Sequence, residues 1–153
     1  FDTIPNHSFD TVVNLKGKGN GSVQLQQQYG KPGRINMYYV AGLNVEGKRV
    51  CGLASIGGIV SENGVNVVIK CNEINTVAHE LGHYFGLLHT FQGSGEELAD
   101  GSNCKTAGDF ICDTPADPYN SSENVLDYMD FGCKYKSRKT DANGEFYNPD
   151  PSN

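Results

Sequence analysis

Three closely spaced histidines are the candidate metal ligands of this sequence. Two of them lie in the run His-Glu-Leu-Gly-His at positions 79–83, and His89 follows shortly after. Residues four apart on an α-helix lie on one face, so the imidazoles of His79 and His83 can bind a single Zn²⁺ ion. Gly86 can adopt a positive φ, end the helix and turn the chain back, which would add His89 as a third ligand.

Three protein ligands leave one coordination position of zinc open to water, which is typical of a catalytic site and not of a structural one. Glu80 follows the first ligand and lies close enough to hold that water without binding the metal itself. The spacing therefore predicts one catalytic Zn²⁺ ion held by His79, His83 and His89, with Glu80 beside it.

The elements that must position these residues follow from the hydrophobic periodicity. Apolar residues at three- and four-residue steps between positions 74 and 88 predict one amphipathic helix, which begins near Asn72 or Asn75 and ends at Gly86. Strands are predicted at positions 23–26, 35–40, 50–55 and 65–70, the third of them at a sheet edge because of its glycines. From Gln92 onward the sequence is rich in turn residues and predicts a long loop region.

Composition and charge exclude several classes of protein. The 153 residues carry 12 Lys and Arg against 18 Asp and Glu, a net charge of −6, without a basic block, which argues against a nucleic-acid partner. No apolar run approaches the roughly 18 residues of a membrane span, so we expect no membrane insertion. Five cysteines in so short a chain indicate an oxidising compartment and therefore a secreted, extracellular protein.

The histidine pattern resembles that of the metzincin zinc endopeptidases. Two neighbouring segments, His-Thr-Phe-Gln-Gly at 89–93 and Gly-Asp-Phe-Ile-Cys-Asp-Thr-Pro at 108–115, are similar to the pappalysin-type family, whose bacterial members are secreted proteases. The likeness extends from about position 35 to position 153. It implies His79, His83 and His89 as zinc ligands and Glu80 as the catalytic carboxylate, in agreement with the spacing.

This resemblance implies an α+β fold. We expect a metzincin-like zinc protease core, in which a twisted mixed sheet packs on the active-site helix, followed by a long loop-rich C-terminal part. Residues 1–153 are expected to form a single metalloprotease catalytic domain that is incomplete at both ends. Metzincins carry a methionine turn beneath the zinc: Met129 is one candidate for it, and the favoured alternative is that the turn follows position 153.

The expected function is zinc-dependent hydrolysis of peptide bonds. Glu80, as general base, would take a proton from the attacking water and deliver it to the leaving amine. The edge strand at 50–55 would pair with an extended protein or peptide substrate, and we expect the protein to be a monomer. The alternative that stays open is a catalytically silent zinc- and calcium-binding fragment or adhesion module.

A second metal site is predicted in the acidic loop. Hard oxygen ligands suit Ca²⁺, and the resemblance points to a structural calcium ion there. Ordinary capping of turns by aspartate is the alternative. The candidate ligands are Asp109, Asp113, Thr114 and Asp117.

The cysteines add two expected disulfides. By resemblance, Cys104 pairs with Cys133. Cys51 and Cys71 each lie at one end of a predicted strand and could bridge neighbouring strands. This pairing leaves Cys112 without a partner.

Overall fold

The computed structural model describes residues 13–14, 21–45, 47–58, 67–70, 74–130 and 134–147. The chain divides into two compact units, Phe1–Leu87 and Leu88–Asn153. Within the described ranges, no helix combines the length and the apolar character that crossing a membrane requires.

The described part of the first unit contains two small sheets and two α-helices. One sheet has the order β1-β3-β4 and the other the order β2-β6-β5. A 3₁₀ turn at Ile56–Gly58 follows β5. The strands are β1 Val13–Asn14, β2 Met37–Tyr39, β3 Leu43–Val45, β4 Lys48–Arg49, β5 Gly52–Ala54 and β6 Val67–Ile69, and the helices are α1 Gly21–Tyr29 and α2 Ile74–Tyr84.

The second of these sheets supports helix α2. Strand β2 pairs parallel with β6, and β5 pairs antiparallel with β6, with Gly52 opposite Ile69. The sheet is therefore mixed, and β5 lies at its edge in the described part of the chain, as the glycines of positions 50–55 predicted. Helix α2 packs against β5 and β6, so the predicted arrangement of a mixed sheet on the motif helix is confirmed at this level.

Positions 23–26, predicted as a strand, belong to helix α1 instead. Leu25 and Tyr29 are one helical turn apart and therefore lie on one face of the helix, which packs with Tyr38 and Leu43. Leu25 is only 2% exposed, and the hydroxyl of Tyr38 donates a hydrogen bond to Gln26 Oε1 at 3.2 Å. The apolar–polar alternation at positions 23–26 is only four residues long. Its two glutamines are also good helix formers, so the packing of Leu25 decides in favour of the helix.

The second unit is built mostly from turns. Its short regular elements are a 3₁₀ turn at Val125–Tyr128 and the hairpin of β7 Met129–Asp130 with β8 Lys134–Tyr135. Met129, the candidate for a methionine turn, thus lies in a strand. A single antiparallel bridge joins Thr140 to Phe146.

Buried polar contacts hold these turns together. The hydroxyl of Tyr147, which is 2% exposed, donates to the carbonyl oxygens of Gly95 at 2.9 Å and Glu97 at 2.7 Å. Asp141 is also buried and accepts the backbone N–H groups of Ala99 at 2.9 Å and Asn143 at 2.8 Å. Such contacts between distant positions order a segment that has little regular secondary structure.

The disulfide pairing differs from the expected one. Cys104 is bonded to Cys112, with the Cα atoms 5.1 Å apart, and not to Cys133. Positive φ angles at Gly108 (71°) and Phe110 (64°) reverse the chain between the two cysteines, which brings them together. Cys112 therefore has a partner.

The second expected disulfide stays a prediction. Cys51 is disulfide-bonded. Cys71, its predicted partner, lies outside the described residues, as does Cys133.

Candidate metal centre

Helix α2 carries His79 and His83 one turn apart. Their Nε2 atoms are 3.1 Å from each other, and the two rings meet edge to face with centroids 4.6 Å apart. Two nitrogens that each lie about 2.0–2.1 Å from one tetrahedral zinc ion are about 3.3 Å apart. The pair is therefore close to the spacing that a shared zinc ion requires.

A glycine turn ends the helix after these two histidines. Gly86 has a φ of 98°, its N–H donates to the carbonyl of His83 at 2.9 Å, and the N–H of Leu87 donates to the carbonyl of Gly82 at 3.0 Å. These two bonds form a Schellman motif, in which a left-handed residue closes the helix. The predicted role of Gly86 as the helix terminus is confirmed.

The chain that leaves this turn carries His89. Ring nitrogens of His79, His83 and His89 all lie within 4.8 Å of one another. Among the described residues, these three histidines are the group of His, Cys, Asp or Glu side chains that lies close enough together to hold a metal ion. The ring of His89 stacks on that of Phe91, with centroids 4.7 Å apart.

The protonation of the imidazoles suits a metal. Nδ1 of His83 lies 2.7 Å from the carbonyl oxygen of Leu87, which can only accept, so Nδ1 carries a proton and, in the neutral ring, Nε2 keeps its lone pair. Metal-binding histidines are commonly held this way by their second nitrogen. Desolvation lowers the pKa of His79, and the positive charge of His83 in its protonated form lowers it further, which favours the neutral form of His79 that binds a metal.

Glu80 is the buried acid of this helix. Its side chain is 5% exposed and lies against Gly52 of the edge strand β5. Burial raises the pKa of its carboxyl group, and the nearby charge of His83 opposes that rise. A carboxylate with a raised pKa is a stronger base than one in water, as proton transfer near neutral pH requires.

Hydrogen bonds within the protein involve three of the four predicted calcium ligands, namely Asp109, Thr114 and Asp117. Asp109 is buried and accepts the N–H of Ile111 at 2.9 Å, and the N–H of Thr114 donates to the carbonyl of Ile111 at 3.1 Å. Asp113 is exposed. Within the described residues, Asp109, Asp113 and Asp117 do not form a close three-carboxylate group.

Asp117 accepts hydrogen bonds from three residues, one of which, Thr90, directly follows His89 in the sequence. Its Oδ2 accepts from Thr90 Oγ1 at 2.9 Å, and its Oδ1 accepts from the N–H of Tyr119 at 3.0 Å and the hydroxyl of Tyr135 at 3.3 Å. These three donors occupy both carboxylate oxygens, so the position of Asp117 is explained without a cation.

Glu97 is a buried acid that no sequence pattern predicted. Its side chain is 3% exposed, it packs against Gly108, and its Oε1 has no hydrogen-bond partner within the described residues. Burial and the negative charge of Asp109 both raise the pKa of its carboxyl group. A glutamate among turn residues is usually solvated, so no local signal could have identified it.

Sequence comparison places the chain in a family of metallopeptidases. A sequence model of Metallo-peptidase family M12 matches residues 19–129. The chain is 30% identical over 114 residues to an extracellular metalloprotease of Pyricularia oryzae, covering 63% of this chain and 36% of that protein. It is 51% identical over 47 residues to an extracellular metalloprotease of Colletotrichum graminicola, covering 31% and 14%.

The chain therefore spans about a third or less of the length of these curated relatives, at 36% and 14%. No solved structure matches it significantly.

Proposed function

Because the chain belongs to Metallo-peptidase family M12, we propose that it forms the catalytic part of a secreted zinc endopeptidase. The observation that carries the proposal is the gathering of three imidazole nitrogens within 4.8 Å, on the segment that also holds the buried Glu80. Secretion is supported by the relatives, which are named extracellular metalloproteases.

Zinc is the ion that this donor set favours. Three neutral imidazoles without a thiolate suit Zn²⁺ and leave a coordination position open for catalysis. When bound, the ion supplies Lewis-acid activation of a water molecule and of the scissile carbonyl group. The chain's contribution is to present Nε2 of His83 through the Leu87 hydrogen bond and to keep His79 neutral.

Glu80 is proposed as the general base. Its carboxylate takes a proton from the attacking water and passes it to the leaving amine. The edge strand β5 is the proposed docking site for the substrate, because among the described strands it pairs with β6 alone, along one side. An extended peptide can add to such an edge through main-chain hydrogen bonds.

The pappalysin-type assignment is a finer part of the proposal. It rests on the segments at 89–93 and 108–115, and it includes a single catalytic domain over 1–153 that acts as a monomer. A structural calcium ion near Asp109, Asp113, Thr114 and Asp117 also stays a proposal. Its support is the burial of Asp109 beside Glu97, where two acidic groups share a desolvated site.

The experiment that tests the function measures zinc content and cleavage together. Purified protein should contain one equivalent of zinc and should cleave a denatured protein at internal bonds. A chelator should abolish cleavage, and stoichiometric zinc should restore it. His83→Ala should lose the zinc, whereas Glu80→Gln should keep it and lose turnover by several orders of magnitude.

Glu96→Gln is the matched control for the glutamate variant, because Glu96 is exposed. It should retain both zinc and turnover. Zinc binding without cleavage of any denatured protein or peptide by the parent would instead favour the silent zinc-binding module.

A further inference from the structure

The backbone conformation at position 52 does not require a glycine. It is not among the described glycines with a positive φ, so other residues can adopt its conformation. It lies within strand β5, opposite Ile69, where glycine weakens a strand relative to alanine. Its presence there therefore needs a reason other than conformation.

Space provides that reason. A Cβ atom at position 52 would lie 2.6 Å from Cγ and 2.7 Å from Cδ of Glu80, and closer still to Oε1. Carbon atoms in favourable contact are about 3.5–4.0 Å apart, so these distances are severe overlaps. Glu80 has little room to withdraw, because it is 5% exposed and its helix packs on β5.

We propose that Gly52 is a positioning residue whose missing side chain forms the recess that seats the Glu80 carboxylate. The inference rests on the proposed role of Glu80 as general base and assigns the residue that fixes its place. Any side chain at position 52 must displace either the carboxylate or the edge strand. A displacement of about 1 Å at a reacting group can cost about 100-fold in rate.

The kinetic test compares two glycine-to-alanine variants. Gly52→Ala should keep one equivalent of zinc, because Gly52 does not touch the histidines in the overlaps described, and should lower kcat about 100-fold with a much smaller change in KM. Gly101→Ala is the control outside the motif. Nothing lies within 4 Å of a Cβ atom at position 101, so zinc content and kcat should stay at the parent values.

A stability cycle tests the seating without any activity measurement. The melting temperatures of the parent, Gly52→Ala, Glu80→Ala and the double variant are compared, with and without zinc. Gly52→Ala should lower Tm when Glu80 is present. In the Glu80→Ala background the overlap is gone, and the same change should leave Tm unchanged or raise it, since alanine restricts the unfolded chain.

The outcomes separate this inference from the proposed function. An equal effect of Gly52→Ala on Tm in both backgrounds would overturn the seating of Glu80. If the effect of Gly52→Ala on Tm depends on Glu80 but kcat of Gly52→Ala equals that of the parent, the positioning role is overturned. If the parent cleaves nothing, the proposed function fails, and the stability cycle still decides whether Gly52 seats the carboxylate.

Discussion

His83 and Leu87 are joined by a hydrogen bond from Nδ1 to the backbone carbonyl oxygen, 2.7 Å long. The carbonyl is available because the helix has ended and the chain has turned at Gly86. The helix terminus and the orientation of His83, a proposed metal ligand, thus depend on the same glycine. A change in the turn is therefore expected to reach the metal through the His83 ring.

The first prediction concerns Gly86→Ala. A residue with a Cβ is strained at a φ of 98°, so the variant should lose about 1 kcal/mol or more of stability and bind zinc more weakly. Gly101→Ala is the control, since Gly101 has a φ of 68° and open space around it. It should be destabilised similarly and keep its zinc affinity. Zinc titration and urea unfolding measure the two effects, and equal zinc affinities in both variants would contradict the link.

The second prediction concerns the disulfide. Replacing Cys104 and Cys112 together by serine should lower the free energy of unfolding by about 2–3 kcal/mol, because the bond closes a short loop in the unfolded chain. Urea unfolding of the parent and the double variant measures the loss. Peptide mapping without reduction provides the check on pairing: a Cys104–Cys133 peptide would restore the pairing expected from the sequence.

The parts of the site that could be predicted are those encoded locally. The spacing of His79, His83 and Gly86 determines a helix face and its end, whatever the rest of the chain does. The pairing of Cys104 could not be predicted, because it depends on how turns at Gly108 and Phe110 fold the loop.

Long-range packing explains the other differences. Helix α1 replaces the predicted strand because Leu25 packs with Tyr38 and Leu43, which lie in other elements. The buried side chain of Glu97 packs against Gly108, and its backbone carbonyl accepts from Tyr147, which lies 50 residues further along the chain. No local pattern contains such contacts.

The third prediction concerns Tyr147→Phe. The variant removes a hydroxyl whose single hydrogen is shared between the carbonyl oxygens of Gly95 and Glu97, so the free energy of unfolding should fall by about 1–3 kcal/mol. Tyr39→Phe is the control, because Tyr39 is 50% exposed. Urea unfolding should show almost no change for the control, and a comparable loss in both variants would contradict the proposed anchoring.

The fourth prediction concerns pH. The pKa of Glu97 is raised in the folded protein, so the folded state binds its proton more tightly than the unfolded state does. This contribution to stability is full below the ordinary pKa of about 4.3 and is lost as pH rises through the folded value. The free energy of unfolding is measured in the presence of a chelator. As the pH rises from about 4 to about 7, it should fall less for Glu97→Gln than for the parent.

Glu96→Gln is the control for this pH series, since Glu96 is exposed. Its stability should change with pH as the parent's does. Parallel curves for all three proteins would contradict the role of Glu97. A parent that gains stability from added calcium while Glu97→Gln does not would support the calcium proposal at this place.

The origin of all three imidazoles in one continuous segment, from His79 to His89, has a consequence for the order of folding. Closing a short loop costs little chain entropy, and contacts between residues close in sequence form early. The recess for Glu80 depends instead on residues far apart in the sequence, because strand β6 lies between Gly52 and Glu80 along the chain. The three imidazoles of the proposed zinc site are therefore expected to come together early in folding, and the recess for Glu80 only when the sheet packs against helix α2.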